Sequence, residues 1–114
     1  MSDVGGTIRV VGSTISNNTS VRAGGGIEDN SGSSPLSYLI GVTLTNNTTG
    51  SAPGNGGGLH ITGAANYSII GGLVDGNTAI SEGGGLWNGS GAMTIDGTTI
   101  SNNTANGAAS DQAS

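Results

Sequence analysis

Three features of this sequence predict an all-β chain coiled as a parallel β-helix. They are a long-period repeat, short stretches alternating apolar and polar residues, and glycines set between those stretches. The repeat is anchored by Asn-Thr pairs at Asn18, Asn47, Asn77 and Asn103, spaced 29, 30 and 26 residues apart. An aliphatic stands three residues before each asparagine (Ile15, Leu44, Val74, Ile100) and a glycine six before (Gly12, Gly41, Gly71, Gly97). Another aliphatic stands eight before (Val10, Leu39, Ile69, Ile95). These registers align without a gap, so differences in copy length fall in the remaining loops. Periods of this size belong to solenoids, in which each repeat buries its apolar face on the next.

Residues 56–78 form the clearest copy. The triplet Gly56–Gly58 opens it, and a first strand follows with Leu59 and Ile61. After a loop comes a second strand with Tyr67 and Ile69, then a glycine corner and a third strand holding Val74. The same order returns at 83–104, at greater length at 24–48, and in part at 5–19. Ile8-Arg9-Val10, Thr14-Ile15-Ser16, Met93-Thr94-Ile95 and Thr99-Ile100-Ser101 alternate with period two. Successive strand side chains face opposite sides, so the aliphatics of each register stack as inward columns. The expectation is one domain over residues 1–114, with about four rungs of three short strands each and a polar tail over 105–114. Rungs ~4.8 Å apart would make a stack of about 15–20 Å.

The corners follow from backbone sterics. Glycine takes positive φ or a tight contact without a Cβ clash, so Gly12, Gly41, Gly71 and Gly97 are expected to line one corner. Gly24–Gly26, Gly56–Gly58 and Gly83–Gly85 are expected to line another. The asparagines Asn18, Asn47, Asn77 and Asn103 at the third corner tolerate left-handed backbone. Stacked in register, their amides can also bond rung to rung as a structural ladder.

Composition narrows function by exclusion. The net charge is −5, arginines 9 and 22 are the only cationic residues, and lysine is absent. A phosphate backbone needs several cationic contacts, so nucleic acid is not an expected partner; a polybasic membrane patch fails on the same count. No apolar run reaches the ~20 residues of a membrane helix, and Met1-Ser-Asp3 leads into no signal-peptide core. Without cysteine there is no disulfide or thiolate chemistry.

The paired signatures Gly-Gly-x-aliphatic (Gly25 to Ile27, Gly57 to Leu59, Gly84 to Leu86) and aliphatic-x-x-Asn resemble a known repeat type. They are similar to the repeats of polymorphic outer-membrane proteins and autotransporter-like adhesins, within the pectate-lyase-like right-handed β-helix class. The usual repeat carries Phe before x-x-Asn, where this chain has Ile, Leu or Val. The resemblance covers roughly residues 5–107 and implies a right-handed coil and an extracellular or cell-surface setting.

Candidate chemistry is sparse. Asp29, Asp75, Glu82 and Asp96 occupy unrelated registers and read as solvated surface carboxylates rather than a metal site. Counting the register places His60 between Glu28 and Trp87, which suggests a surface ion pair or a small stacking platform for sugar. Thr14/Ser16, Thr43/Thr45 and Thr99/Ser101 would form outward hydroxyl columns of the kind seen in ice-binding β-helices, but Leu73 and Asp75 interrupt them. Sequons at Asn17, Asn18, Asn46, Asn47, Asn66, Asn88 and Asn102 mostly follow from the repeated Asn-Asn-Thr. No catalytic set, cofactor or metal is expected.

Both ends are expected to be uncapped, with the first rung starting at its second strand and Gly107-Ala-Ala109 continuing the triplet column. Either a longer solenoid has been cut, or the ends meet. The leading expectation is a non-enzymatic structural subunit that stacks head to tail on itself into an extracellular fibre or surface appendage. The alternative is a fragment of a β-helical adhesin that binds carbohydrate or protein on its flank, and a polysaccharide-active or ice-binding β-helix comes third.

Overall fold

Fourteen strands and no helix make up the described part of the chain. The computed structural model describes residues 2–3, 6–51 and 53–107. Three parallel sheets wrap around one core. The first holds β1 (Ser2–Asp3), β2 (Arg9–Val11), β5 (Ile27–Ile40), β8 (Leu59–Ile70), β11 (Leu86–Asn88) and β12 (Met93–Asp96). The second stacks β3 (Thr14–Ser16), β6 (Thr43–Thr45), β9 (Leu73–Asp75) and β13 (Thr99–Ser101). The third stacks β4 (Thr19–Ser20), β7 (Thr48–Thr49), β10 (Thr78–Ala79) and β14 (Thr104–Ala105). Every strand pairs only with its equivalent one turn away, always in parallel. The chain is therefore a parallel β-solenoid, and its four-stranded second and third sheets mark about three full turns.

The three sheets are divided differently from the sequence expectation. In the inner turns the expected first and second strands run together as β5 and β8, because the segment between them also pairs, Gly32 with Gly63 and Ser33 with Ala64. Left-handed glycines at Gly32 (φ 80°) and Gly63 (φ 81°) take up the irregularity in that ladder. The third sheet instead comes from the two residues after each ladder asparagine. The first turn also has a first-strand piece, since β1 pairs with Glu28 and Asp29. Gly107 donates to the Ser81 carbonyl, so it lies two residues ahead of the triplet register. Ala109 and Ser110 fall outside the described residues.

The core consists of aliphatic columns. Ile27, Leu59 and Leu86 are fully buried, as are Leu39, Leu44, Ile61 and Val74, with Ile69 almost so. Burying one such side chain contributes roughly 1.5–3 kcal/mol. At the coil ends the same columns finish in Val10, Ile15, Ile95 and Ile100, which are only partly buried.

The two glycine columns meet different demands. Gly12, Gly41, Gly71 and Gly97 have φ of 57°, 61°, 64° and 65°, and a Cβ on Gly12, Gly71 or Gly97 would meet open space. Conformation selects glycine there. Gly25 and Gly57 have no positive φ, but a Cβ on either would collide with the triplet of the next turn and with Thr48 or Thr78 backbone. Crowding selects glycine in that column.

Candidate functional site

The third corner and the outer face of the first sheet carry the chain's polar chemistry. At the third corner the left-handed residue is not the ladder asparagine but the one before it: Asn17 (φ 58°), Asn46 (φ 54°), Gly76 (φ 67°) and Asn102 (φ 52°). With the turn made one residue earlier, the next side chain is free to point inward. The backbone N–H and side-chain amide of Asn18 both donate to Asn47 Oδ1, at 3.1 and 3.0 Å. Asn47 repeats this on Asn77 Oδ1 (3.0 and 3.0 Å), and Asn77 on Asn103 Oδ1 (2.9 and 3.0 Å). The second amide proton goes to a carbonyl of the preceding turn: Asn47 to Ile15, Asn77 to Leu44, Asn103 to Val74, at 3.0, 2.8 and 3.0 Å. Asn47 and Asn77 thus use both amide protons and both lone pairs while completely buried.

The outer face of the first sheet holds Glu28, His60 and Trp87 in one register. The imidazole of His60 stacks on the indole of Trp87, with centroids 4.7 Å apart and an interplanar angle of 24°. Glu28 Oε1 accepts from Arg22 Nε at 2.7 Å and lies 3.8 Å from His60 Nδ1. The Trp87 indole N–H donates to Glu82 Oε2 at 3.1 Å. His60 is only 3% exposed, so the expected surface ion pair is instead a mostly dry stack. Burial pushes the imidazole below its ordinary pKa; the Glu28 charge pulls it up and Arg22 pushes it down. Thr62 Oγ1 lies 3.4 Å from the same Nδ1 that faces Glu28. Hydroxyl and carboxylate on one ring nitrogen cannot form a relay through the imidazole, which needs them on opposite nitrogens.

Asp29 departs from the solvated reading. It is fully buried, accepts the Tyr67 hydroxyl at 2.6 Å and accepts the Ser31 N–H at 2.8 Å. A signal for this was present, because Asp29 lies two residues from inward-facing Ile27 and aligns with buried Ile61. Tyr67 looked apolar by position, and its hydroxyl is the donor that makes an inward carboxylate tolerable. Asp75 stays on the outer face, where Ser101 and then Asn102 donate to it and hold its carboxyl below the usual range. Arg9 lies over the Tyr38 ring at 5.8 Å. Among the described residues no three His, Asp or Glu side chains converge as a metal site would require.

The hydroxyl columns of the second sheet run Thr14–Thr43–Leu73–Thr99 and Ser16–Thr45–Asp75–Ser101. Of the sequon asparagines, Asn47 and Asn88 are buried. At the first-turn end a concavity of about 470 Å³ opens between Ile15, Asn18, Thr19 and the triplet Gly24–Gly26. No protein-family model matches the chain, and comparison with curated proteins and with solved structures finds no significant match.

Proposed function

We propose that the chain is a structural, non-enzymatic β-solenoid subunit that stacks head to tail on itself into a fibre or surface appendage. The polarity of the asparagine ladder carries this reading. Every ladder bond runs the same way, with the donor on the earlier turn and Oδ1 on the later one. One end therefore presents the side-chain Oδ1 of Asn18, and the other the Asn103 backbone N–H, which meets no acceptor among the described residues. An acceptor at one end and a donor at the other is the complementarity that a heterologous contact needs, and such contacts propagate as open filaments. The partly buried Val10, Ile15, Ile95 and Ile100 would be covered at the junction. The resemblance of the repeats to surface adhesins supports an extracellular setting.

Sedimentation velocity and negative-stain electron microscopy test this on wild type and Val10→Lys, with circular dichroism as the check on folding. The expected result is unbranched fibres for wild type and none for a folded Val10→Lys. A wild type that stays monomeric at high concentration would overturn the reading.

A second reading, an adhesin that holds carbohydrate or protein on its flank, draws on the His60–Trp87 stack with its neighbouring carboxylates. Aromatic faces bearing a polar rim suit sugars. Glycan binding that disappears in Trp87→Ala while His60 keeps its neighbours would favour it.

A further inference from the structure

One outward column of the first sheet differs in chemistry from its neighbours. β2, β5, β8 and β12 bring Val11, Ile40, Ile70 and Asp96 into one register, and the adjoining outward column runs Arg9, Tyr38, Ser68, Thr94. Val10, Leu39 and Ile69 alternate with them and pack into the core, so both columns face outward. The outward columns of the second and third sheets are mostly hydroxyls, as in Thr19, Thr48, Thr78 and Thr104. Here three aliphatics stand on successive turns ~4.8 Å apart. Val11 is 54% exposed and Ile70 39%, with Ile40 half-buried between them and half-buried Tyr38 beside it. Lone exposed aliphatics are ordinary, but a contiguous stripe among hydroxyls marks a contact face.

Charge frames this stripe. Arg9 stands on the first turn, its guanidinium 5.8 Å from the Tyr38 ring centroid, and Asp96 closes the stripe on the fourth. Both are exposed, and neither has an ion-pair partner among the described residues. The face thus carries positive charge at one end, negative charge at the other and aliphatics between.

We propose that this face pairs with the same face of a second copy, the two coils antiparallel. A two-fold axis lying along the strands sets first turn against fourth and second against third. Ile40 then meets Ile70 of the second copy, twice over. Tyr38 lies opposite small Ser68, and Arg9 stands one outward position, ~7 Å, from the column of Asp96. That is the self-complementarity an isologous contact requires. An axis along the coil instead sets equal turns together and brings like charge to like, which selects against that pairing. The contact uses the flank and neither end, so it is independent of head-to-tail stacking. Four turns make a small face, which puts the expected Kd at about 10–100 µM.

Sedimentation equilibrium of the full chain tests this at concentrations where micrographs show no fibres, with circular dichroism as the check on folding. The variants are Ile70→Lys, Arg9→Glu and the double exchange Arg9→Glu/Asp96→Arg. Ile70 faces outward on the third turn, away from any end-to-end junction, so its variant separates pairing from stacking. The expected result is a monomer–dimer equilibrium that Ile70→Lys and Arg9→Glu each weaken at least about tenfold. The double exchange should restore it to within about threefold of wild type. Were fibres present at every concentration, their width would read the same contact: paired coils in wild type and single coils in Ile70→Lys. A wild type that stays monomeric at about 1 mM, or forms only single-coil fibres, would overturn the proposal. So would an Ile70→Lys that pairs as wild type does, or a double exchange that recovers nothing.

Discussion

Adjacent columns of this solenoid use the same residue type for opposite reasons. Gly71 and its equivalents stand at positive φ in open space, whereas Gly57 and its equivalents stand in crowded backbone. The asparagines divide likewise. Asn17, Asn46 and Asn102 supply left-handed backbone at an exposed corner, while Asn18, Asn47, Asn77 and Asn103 supply hydrogen bonds. Conformation columns accept an exchange of glycine for asparagine, and the third turn makes that exchange itself with Gly76. Contact columns accept none. A repeated residue therefore marks a shared demand, and only its neighbours say which demand.

The hardest test of that division is Gly57→Ala. The new Cβ would strike backbone in its own turn and in the next, neither able to swing aside as a side-chain tip can. The expected loss is several kcal/mol, on the order of the whole stability of a small domain. A thermal melt close to wild type would remove crowding as the reason for the triplet.

Next comes Asn77→Ala. It strips partners from the Asn47 amide and backbone N–H and from the Leu44 carbonyl, all inside the coil, while Asn103 Oδ1 keeps the backbone N–H of residue 77. Each buried orphan costs ~1–3 kcal/mol, so a loss of about 3 kcal/mol or more is expected. Asn18→Ala, at the exposed end of the ladder, should cost under about 1 kcal/mol. Equal losses in chemical denaturation would mean that the ladder does not depend on having a turn on both sides.

What the sequence makes legible follows the same division. The alignment of Ile15, Leu44, Val74 and Ile100 repeats in every copy, so the register of the coil and its core columns can be counted from the asparagines. Which asparagine of each pair carries the left-handed φ is not countable, because both repeat together; Gly76 is the one clue. Asp29 and Tyr67 occur once, so no repetition marks them, and their burial depends on a single cross-turn bond. The long strands β5 and β8 were hidden because Gly32 and Gly63 look like loop breakers, yet their left-handed φ serves a paired ladder. For Glu28, His60 and Trp87 the shared register is legible, but the dryness of the stack is not.

A milder test lies in the conformation column. Gly71→Ala should cost ~1–2 kcal/mol for holding an L side chain at left-handed φ. Gly71→Asn should cost less, because asparagine tolerates that region and open space surrounds the position. If alanine and asparagine melt alike at Gly71, conformation is not what selects the column.

The smallest effect expected comes from the column that repeats nothing, where Glu28, His60 and Trp87 share one register. His60 is the chain's one histidine. Burial lowers its folded pKa, so the unfolded chain takes up a proton near pH 6.5 that the folded chain resists. Stability is then full above that pH and falls as pH drops from there toward the folded pKa, after which this residue contributes no further change. The His60→Phe variant isolates the contribution of the imidazole from that of every other group. Melting wild type and His60→Phe between pH 7 and 5.5 should show a decline in wild type that the variant lacks. Phenylalanine keeps a ring against Trp87 and removes the titration. The opposite sign, a wild type that gains stability on acidification, would mean that the Glu28 carboxylate outweighs burial. Added salt then separates the two causes, because it screens Glu28 and half-exposed Arg22 while leaving the burial of the ring unchanged.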